Sequence, residues 1–228
     1  MPEKTFNMQQ EALHEAILTG DREKGVQLAK DALDSGSQPL DFFKEVVGPV
    51  VDEMGDRFSR LEIFLPELMR TGMIVKAIQE EVLEPAIIAA GTSSTEPEAG
   101  KIVIGTCQGD IHDIGKNMVA LMLQVNGFQV VDLGTSVSSR DFIEAAKREK
   151  ADIIAMSTLL TTSMPFIRDT VELLEGMGLR EKFSLVVGGA PITQQWVDKN
   201  NIDGFGEDAI DAVKVCQQVL KTKRAKGQ

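Results

Sequence analysis

The fold class this sequence predicts is an N-terminal four-helix bundle followed by a C-terminal doubly wound α/β domain, Rossmann-like or flavodoxin-like, with a five-stranded parallel sheet. Three observations point there. From Phe6 to about Ala90, apolar residues recur three and four apart, the spacing of helices with one buried face. Past residue 100, short and nearly continuous apolar runs alternate with amphipathic stretches, which is how parallel strands read when helices cover both faces of their sheet. Between these regions, "GTSSTEPEAG" at 91–100 is small, polar and proline-containing, as a linker is. The expected division is a bundle over 1–90, a linker over 91–100 and an α/β domain over 101–228.

Leu13, Ala16 and Ile17 mark the first helix, and Val26, Leu28, Ala29 and Leu33 the second. The third carries Phe42, Phe43, Val46, Val47, Val50, Val51 and Met54. Breaks fall at "TGD" (19–21), at "DSGSQP" (34–39) and before "LPELM" (65–69), where Pro66 suits the first turn of a fourth helix. Strands are expected at "KIVIGT" (101–106), "FQVVDL" (128–133), "ADIIAMS" (151–157), "SLVVGG" (184–189) and the shorter "IDGFG" (202–206). Helices should begin near Gly115, Ser139, Pro165, Thr193 and Asp208.

Composition removes several function classes. A net charge of −11 and a pI near 4.7 leave a surface that repels phosphates, which argues against nucleic acid and anionic membranes as partners. Two cysteines, Cys107 and Cys216, make no disulfide framework and read as inert thiols, and no apolar run approaches the roughly 20 residues that span a bilayer. The opening "MPEKTFNMQQEALHEAI" lacks the apolar core of a secretion signal, so a reducing cytoplasm is the expected location. No Ser-His-Asp set, zinc-type Cys/His cluster or Walker lysine motif is present.

In doubly wound domains ligands bind beyond the carboxyl ends of the strands. The first such loop is "QGDIHDIGKN" (108–117), and it holds His112, one of two histidines in the chain. A metal-ligating imidazole normally donates its other ring proton to a carboxylate, a task open here to Asp110 or Asp113, while Gly115 would let the backbone turn into the next helix. Taken alone, the decapeptide reads more readily as a solvent-facing loop with Asp113 as a helix cap. The other histidine, His14, reads as a solvated helix residue.

The remaining loops extend the pattern. "DIHDIG" is followed after 41 residues by "STL" (157–159) and after 28 more by the glycine pair 188–189. This order of Asp-x-His-x-x-Gly, Ser-x-Leu and Gly-Gly resembles the cobalamin-binding domain of methionine synthase and of the corrinoid proteins that serve methanol, methylamine and betaine methyltransferases. The likeness includes "DLG" (132–134), "TTSMP" (161–165) and "VVGGAPIT" (186–193).

That resemblance implies cobalamin, as methylcobalamin, cob(I)alamin or a related corrinoid. It makes His112 the lower axial ligand of cobalt in place of the cofactor's own benzimidazole, with Asp110 behind it and Ser163 completing a proton relay. Ser157, Leu159, Thr161, Gly188 and Gly189 would contact the cofactor, the small ones leaving a slot for its nucleotide tail, and Gly115 would lie close by. Phe58 and Leu65, in "GDRFSRLEIFLPELM" (55–69), would sit on a helical cap over the upper face of the corrin. The function implied is a methyl carrier, taking a methyl group on Co(I) from a substrate-specific methyltransferase and giving it to a second one that serves a thiol or tetrahydrofolate, with a reductive activase as a further partner. A cobalamin-dependent sensor without its DNA-binding part stays open, as does a flavodoxin-like protein without cobalamin.

Overall fold

Leu13, Ile17, Ala29, Phe42, Met54, Ile78 and Leu83 are fully buried, and they belong to all four of the helices expected from the periodicity. The computed structural model describes residues 2–90 and 100–226, in two units, Met1–Ala90 and Gly91–Gln228. The expected linker lies outside the described residues except for Gly100, which opens the first strand.

In the first unit, α1 (Pro2–Thr19) and α2 (Arg22–Asp34) meet at a tight break where the Asp21 carboxylate accepts the Lys24 N–H at 2.9 Å and so caps α2. Two longer rods follow. In one, a π-helical turn at Phe43–Val47 joins α3 (Pro39–Phe42) to α4 (Gly48–Ser59); in the other, a π-helical turn at Gln79–Leu83 joins α5 (Leu65–Ile78) to α6 (Glu84–Ala90).

Both π-turns have the same cause. Pro49 and Pro85 sit inside helices, where a proline lacks the N–H of the ladder and its ring crowds the carbonyl four residues back. The residue before each proline donates five residues back instead, Gly48 to Phe43 and Glu84 to Gln79, and the widened turn carries the helix through. At Pro49 the bypassed carbonyl, that of Glu45, accepts the side-chain amide of Gln10 from α1 at 2.6 Å.

The second unit is a parallel sheet of β1 (Gly100–Thr106), β2 (Phe128–Asp132), β3 (Ile153–Ser157), β4 (Ser184–Gly188) and β5 (Gly204–Gly206), in spatial order β2-β1-β3-β4-β5. Its helices are α7 (Ile114–Val125), α8 (Ser139–Glu149), α9 (Met164–Gly176), α10 (Gln194–Lys199) and α11 (Ala209–Lys226). On one face Val103, Ile154 and Leu185 pack with Phe142, Ile167, Leu174 and Val197 of α8 to α10. On the other, Ile102, Ile104, Ile153 and Val186 pack with Leu123 of α7 and Val213 and Leu220 of α11. Neighbouring strand residues thus serve opposite cores, which is why the strands read as unbroken apolar runs. None of the described helices is long and apolar enough to cross a membrane.

From β1 the chain steps to one side for β2 and to the other for β3 to β5, so the sheet's topological switch point lies between the carboxyl ends of β1 and β3. Across that edge Thr106, Ser157, Gly188 and Gly206 pair in a single row. Small residues leave the rim low just where the strand order reverses.

The end of α4 carries a conformational cost. Leu61 has φ 61°, in the left-handed region where glycine normally closes a helix, and the Leu61→Phe58 and Glu62→Arg57 backbone bonds complete the closing turn. Its side chain is 76% exposed, so little burial is lost with it. Leu61→Gly is expected to stabilise the bundle by up to about 1 kcal/mol, seen as a higher urea midpoint by helical circular dichroism; a lower midpoint would show that Leu61 packs in the bundle.

Candidate functional site

The loop after β1 is built around a carboxylate that sees no solvent. Asp110 is fully buried, and each of its oxygens has two donors. Oδ1 accepts the His112 backbone N–H at 3.0 Å and lies 2.6 Å from His112 Nδ1. Oδ2 accepts the Leu159 N–H at 2.6 Å and the Thr158 hydroxyl at 3.3 Å, both from the loop after β3. A buried charge without such partners would be strongly unfavourable, so this set of bonds fixes both loops at once.

The His112 backbone is held at both ends, because its carbonyl accepts the hydroxyl of Thr106, the last residue of β1, at 2.9 Å. The loop after β2 clamps the same turn. Ser136, with φ 54°, donates its N–H to the Asp110 carbonyl at 3.0 Å and accepts the Gly109 N–H on its hydroxyl at 3.1 Å. That loop is anchored by Asp132, which accepts the Gly134 N–H at 2.8 Å and pairs with the buried Lys116 of α7.

The bond at Nδ1 leaves His112 Nε2 without a partner among the described residues, on a side chain 51% exposed. Of the two candidate aspartates, Asp110 orients the ring, and Asp113 occupies the N-cap position of α7. Asp110 titrates below the usual carboxylate range. Burial alone would raise it, but the backbone N–H groups of His112 and Leu159 and the imidazole outweigh burial.

The structure brings most of the expected residues to this rim and gives some of them other reasons. Ser163 is buried, but its hydroxyl does not reach Asp110; it lies 2.5 Å from Thr158 Oγ1, which stands between them. Ser157 and Gly188 are paired neighbours on the edge row, and Thr161 and Leu159 are exposed on the loop beyond β3. Gly189 has φ +124°, and a Cβ there would lie 1.7 Å from the Thr158 carbonyl oxygen. Its lack of a side chain is demanded by the protein's own backbone, not by a slot alone. The tight turn expected at Gly115 is made at Gly109, with φ +81°; Gly115 lies in the first turn of α7 with open space around it.

In the helical unit, Phe58 and Leu65 are 37% and 59% exposed, so neither is bundle core. Leu61, Phe64, Met69 and Met73 are exposed with them, and Leu65, Met69 and Met73 share one face of α5 at four-residue spacing. His14 is not the solvated residue expected: its Nε2 lies 2.6 Å from Arg57 and ties α1 to α4. Burial pushes the thiols of Cys107 and Cys216 up to about 12, with Asp110 adding to the effect at Cys107, so both stay protonated and inert.

Sequence reasoning missed Thr106, Thr158, Lys116 and Ser136. The two threonines had a signal, since each is a polar residue where a buried apolar strand ends.

A lone imidazole with a tied Nδ1 suits a metal whose other positions are already filled, as a macrocycle fills them. Among the described residues no three His, Cys, Asp or Glu side chains converge to hold a bare ion. One exposed, oriented imidazole is compatible with the cobalt corrin that the resemblance implies.

Comparison with known proteins agrees. Residues 100–214 match the family described as B12 binding domain, and residues 9–83 match a second family of the same description. Trimethylamine corrinoid protein 1 of Methanosarcina acetivorans is 39% identical over 212 residues, covering 90% of this chain and 94% of its own. The solved monomethylamine corrinoid protein of Methanosarcina barkeri superposes with a TM-score of 0.83 at 33% identity, over 93% of this chain and 99% of that one. A chain of the methanol:cobalamin methyltransferase complex of the same organism gives 0.51 at 25% identity, over 96% and 84%.

The Asp110 bonds set a pH dependence for folding. A carboxyl held below its unfolded value of about 3.9 contributes stability that is complete above that value and lost as pH falls through the folded one. Asp110→Asn is therefore expected to cost on the order of 2 kcal/mol at neutral pH, a gap that closes below about pH 4. Urea unfolding of both proteins across that range checks it, and a gap independent of pH would contradict it.

Proposed function

This chain belongs to the corrinoid proteins built on B12 binding domains, with cobalamin as its cofactor, and from that premise we propose that it carries a methyl group between two methyltransferases. The observation that carries this reading is the His112 imidazole, tied at Nδ1 to a buried carboxylate and without a partner at Nε2 among the described residues. In this proposal His112 Nε2 would hold the cobalt of bound cobalamin, and Asp110 holds the tautomer that leaves Nε2 its lone pair. Bound cobalamin supplies the metal that takes up and gives up the methyl group.

What the chain's own residues do is hold, orient and cover. The low rim at Ser157 and Gly188, with Thr161 beyond it, would take the nucleotide tail, and the exposed Leu159 would offer an apolar contact to the cofactor. Phe58 and Leu65 offer exposed apolar side chains of the kind that keep water from a bound cofactor. The partners are a substrate-specific methyltransferase, a second methyltransferase serving a thiol or tetrahydrofolate, and a reductive activase. Relatives named for trimethylamine and monomethylamine, and the methanol:cobalamin complex, support methylated amines or methanol as the class of methyl donor.

Two experiments test this reading. His112→Ala is expected to fold and to bind a corrinoid whose Co(II) paramagnetic resonance spectrum has lost the coupling to a histidine nitrogen; retained coupling would refute the ligand assignment. Phe58→Ala with Leu65→Ala should leave the bundle folded, since both side chains are exposed, while methylcobalamin bound to it photolyses several-fold faster than on the wild type. An unchanged photolysis rate in the folded double variant would place the cover elsewhere.

A further inference from the structure

Thr158 occupies the variable position of the Ser-x-Leu motif, yet it is fully buried and meets Asp110, Ser163 and the backbone of the glycine pair. Its backbone N–H donates to the Gly188 carbonyl at 3.1 Å, and its own carbonyl fills the space that a side chain at Gly189 would need. Its hydroxyl lies 3.3 Å from Asp110 Oδ2, 2.5 Å from Ser163 Oγ and 3.0 Å from the Leu160 carbonyl. Ser163 Oγ can in turn donate to the same Leu160 carbonyl, at 2.9 Å.

A hydroxyl has one proton to give and two lone pairs to offer. With one proton needed between the Thr158 and Ser163 oxygens, three arrangements satisfy this cluster. Ser163 donates to Thr158 while Thr158 donates either to Asp110 or to the Leu160 carbonyl, or Thr158 donates to Ser163 and Ser163 to Leu160; in the last two Asp110 Oδ2 keeps only the Leu159 N–H. A donor facing a carboxylate makes the stronger bond, so the first arrangement prevails while Asp110 is ionised.

We propose that Thr158 is a positioning residue for His112: its hydroxyl, oriented by Ser163, holds the far oxygen of Asp110 so that the near oxygen keeps His112 in the Nδ1–H tautomer. This rests on the reading of His112 as the axial ligand. Ser163 then acts on the imidazole only through Thr158.

The test uses the full chain without cofactor as well as the loaded protein. With only two histidines, nitrogen-15 NMR above about pH 8 resolves His112, and the wild type is expected to show a single Nδ1–H tautomer. Thr158→Val, equal in shape but without the hydroxyl, should shift that signature toward a tautomer mixture and weaken corrinoid binding by about 3- to 10-fold, less than loss of a direct ligand partner costs. Thr158→Ser should restore both. Ser163→Ala should give a smaller shift alone and none when added to Thr158→Val, because a residue that acts through another contributes nothing once that one is gone.

A folded Thr158→Val with the wild-type tautomer and affinity would overturn the proposal, and so would additive effects of the two substitutions. Should Thr158→Val not fold, Thr158→Ala takes its place; should neither fold, a wild-type tautomer in Ser163→Ala overturns the proposal and a shifted one supports it. His112→Ala tests the ligand assignment separately, so loss of nitrogen coupling there together with an unchanged tautomer in Thr158→Val would leave the carrier reading intact and remove Thr158 from it.

Discussion

Everything at the rim of the sheet follows from keeping one ionised carboxylate out of water. The Asp110 side chain is wholly buried, and its four donors come from two loops that are far apart in sequence and meet only because β1 and β3 are neighbours. Moving either loop would strand a charge in a medium of low polarity, at a cost of several kcal/mol. The His112 ring is therefore aimed before any ligand arrives, and little ordering remains to oppose binding. Thr106, Ser136 and the Lys116–Asp132 pair contribute at one remove, by fixing the backbone that carries the carboxylate.

The two units distribute apolar surface differently. In the α/β unit the strands bury side chains on both faces and end in a row of small or hydroxylated residues, so the platform is rigid and its edge open. The helical unit keeps a full core yet leaves Phe58, Leu61, Phe64, Leu65, Met69 and Met73 in the open around the α4–α5 turn. Exposing a group of large apolar side chains has no folding benefit, and it is the kind of surface that proteins keep for contact with something else.

Much of this was legible in the sequence, and what was not has identifiable causes. Helical rods and buried strands announce themselves by period, because burial on one face or both leaves a repeating mark along the chain. The two π-turns do not, since a proline within a helical pattern ordinarily signals an end or a kink, and only the bond from Gly48 to Phe43 shows that the helix continues. Asp110 and His112 were readable as a short motif with a chemical reason. Thr158 was so only in part: a polar residue at the end of an apolar strand stands out, but its task is set by contacts with Asp110, 48 residues away, and with Gly188 and Gly189, of which the sequence carries no trace. Gly189 was picked out correctly as a position that must stay small, but for space left to a ligand, whereas the nearest thing to it is main chain. Gly115 shows the opposite limit, a glycine that a turn was expected to need and that sits instead in an ordinary helical turn.

The contact between Gly189 and the Thr158 carbonyl also bears on how such a site changes over evolutionary time. A wall of side chains can be pushed back or brought forward one substitution at a time. Beside Gly189 the wall is the backbone of Thr158, whose own N–H is bonded to the Gly188 carbonyl, and no exchange of residues retracts a carbonyl group. Adaptation to cofactors of different bulk is thus channelled away from the glycine pair and toward positions such as Thr161, whose exposed side chain is free to grow or shrink without disturbing the strand beneath it.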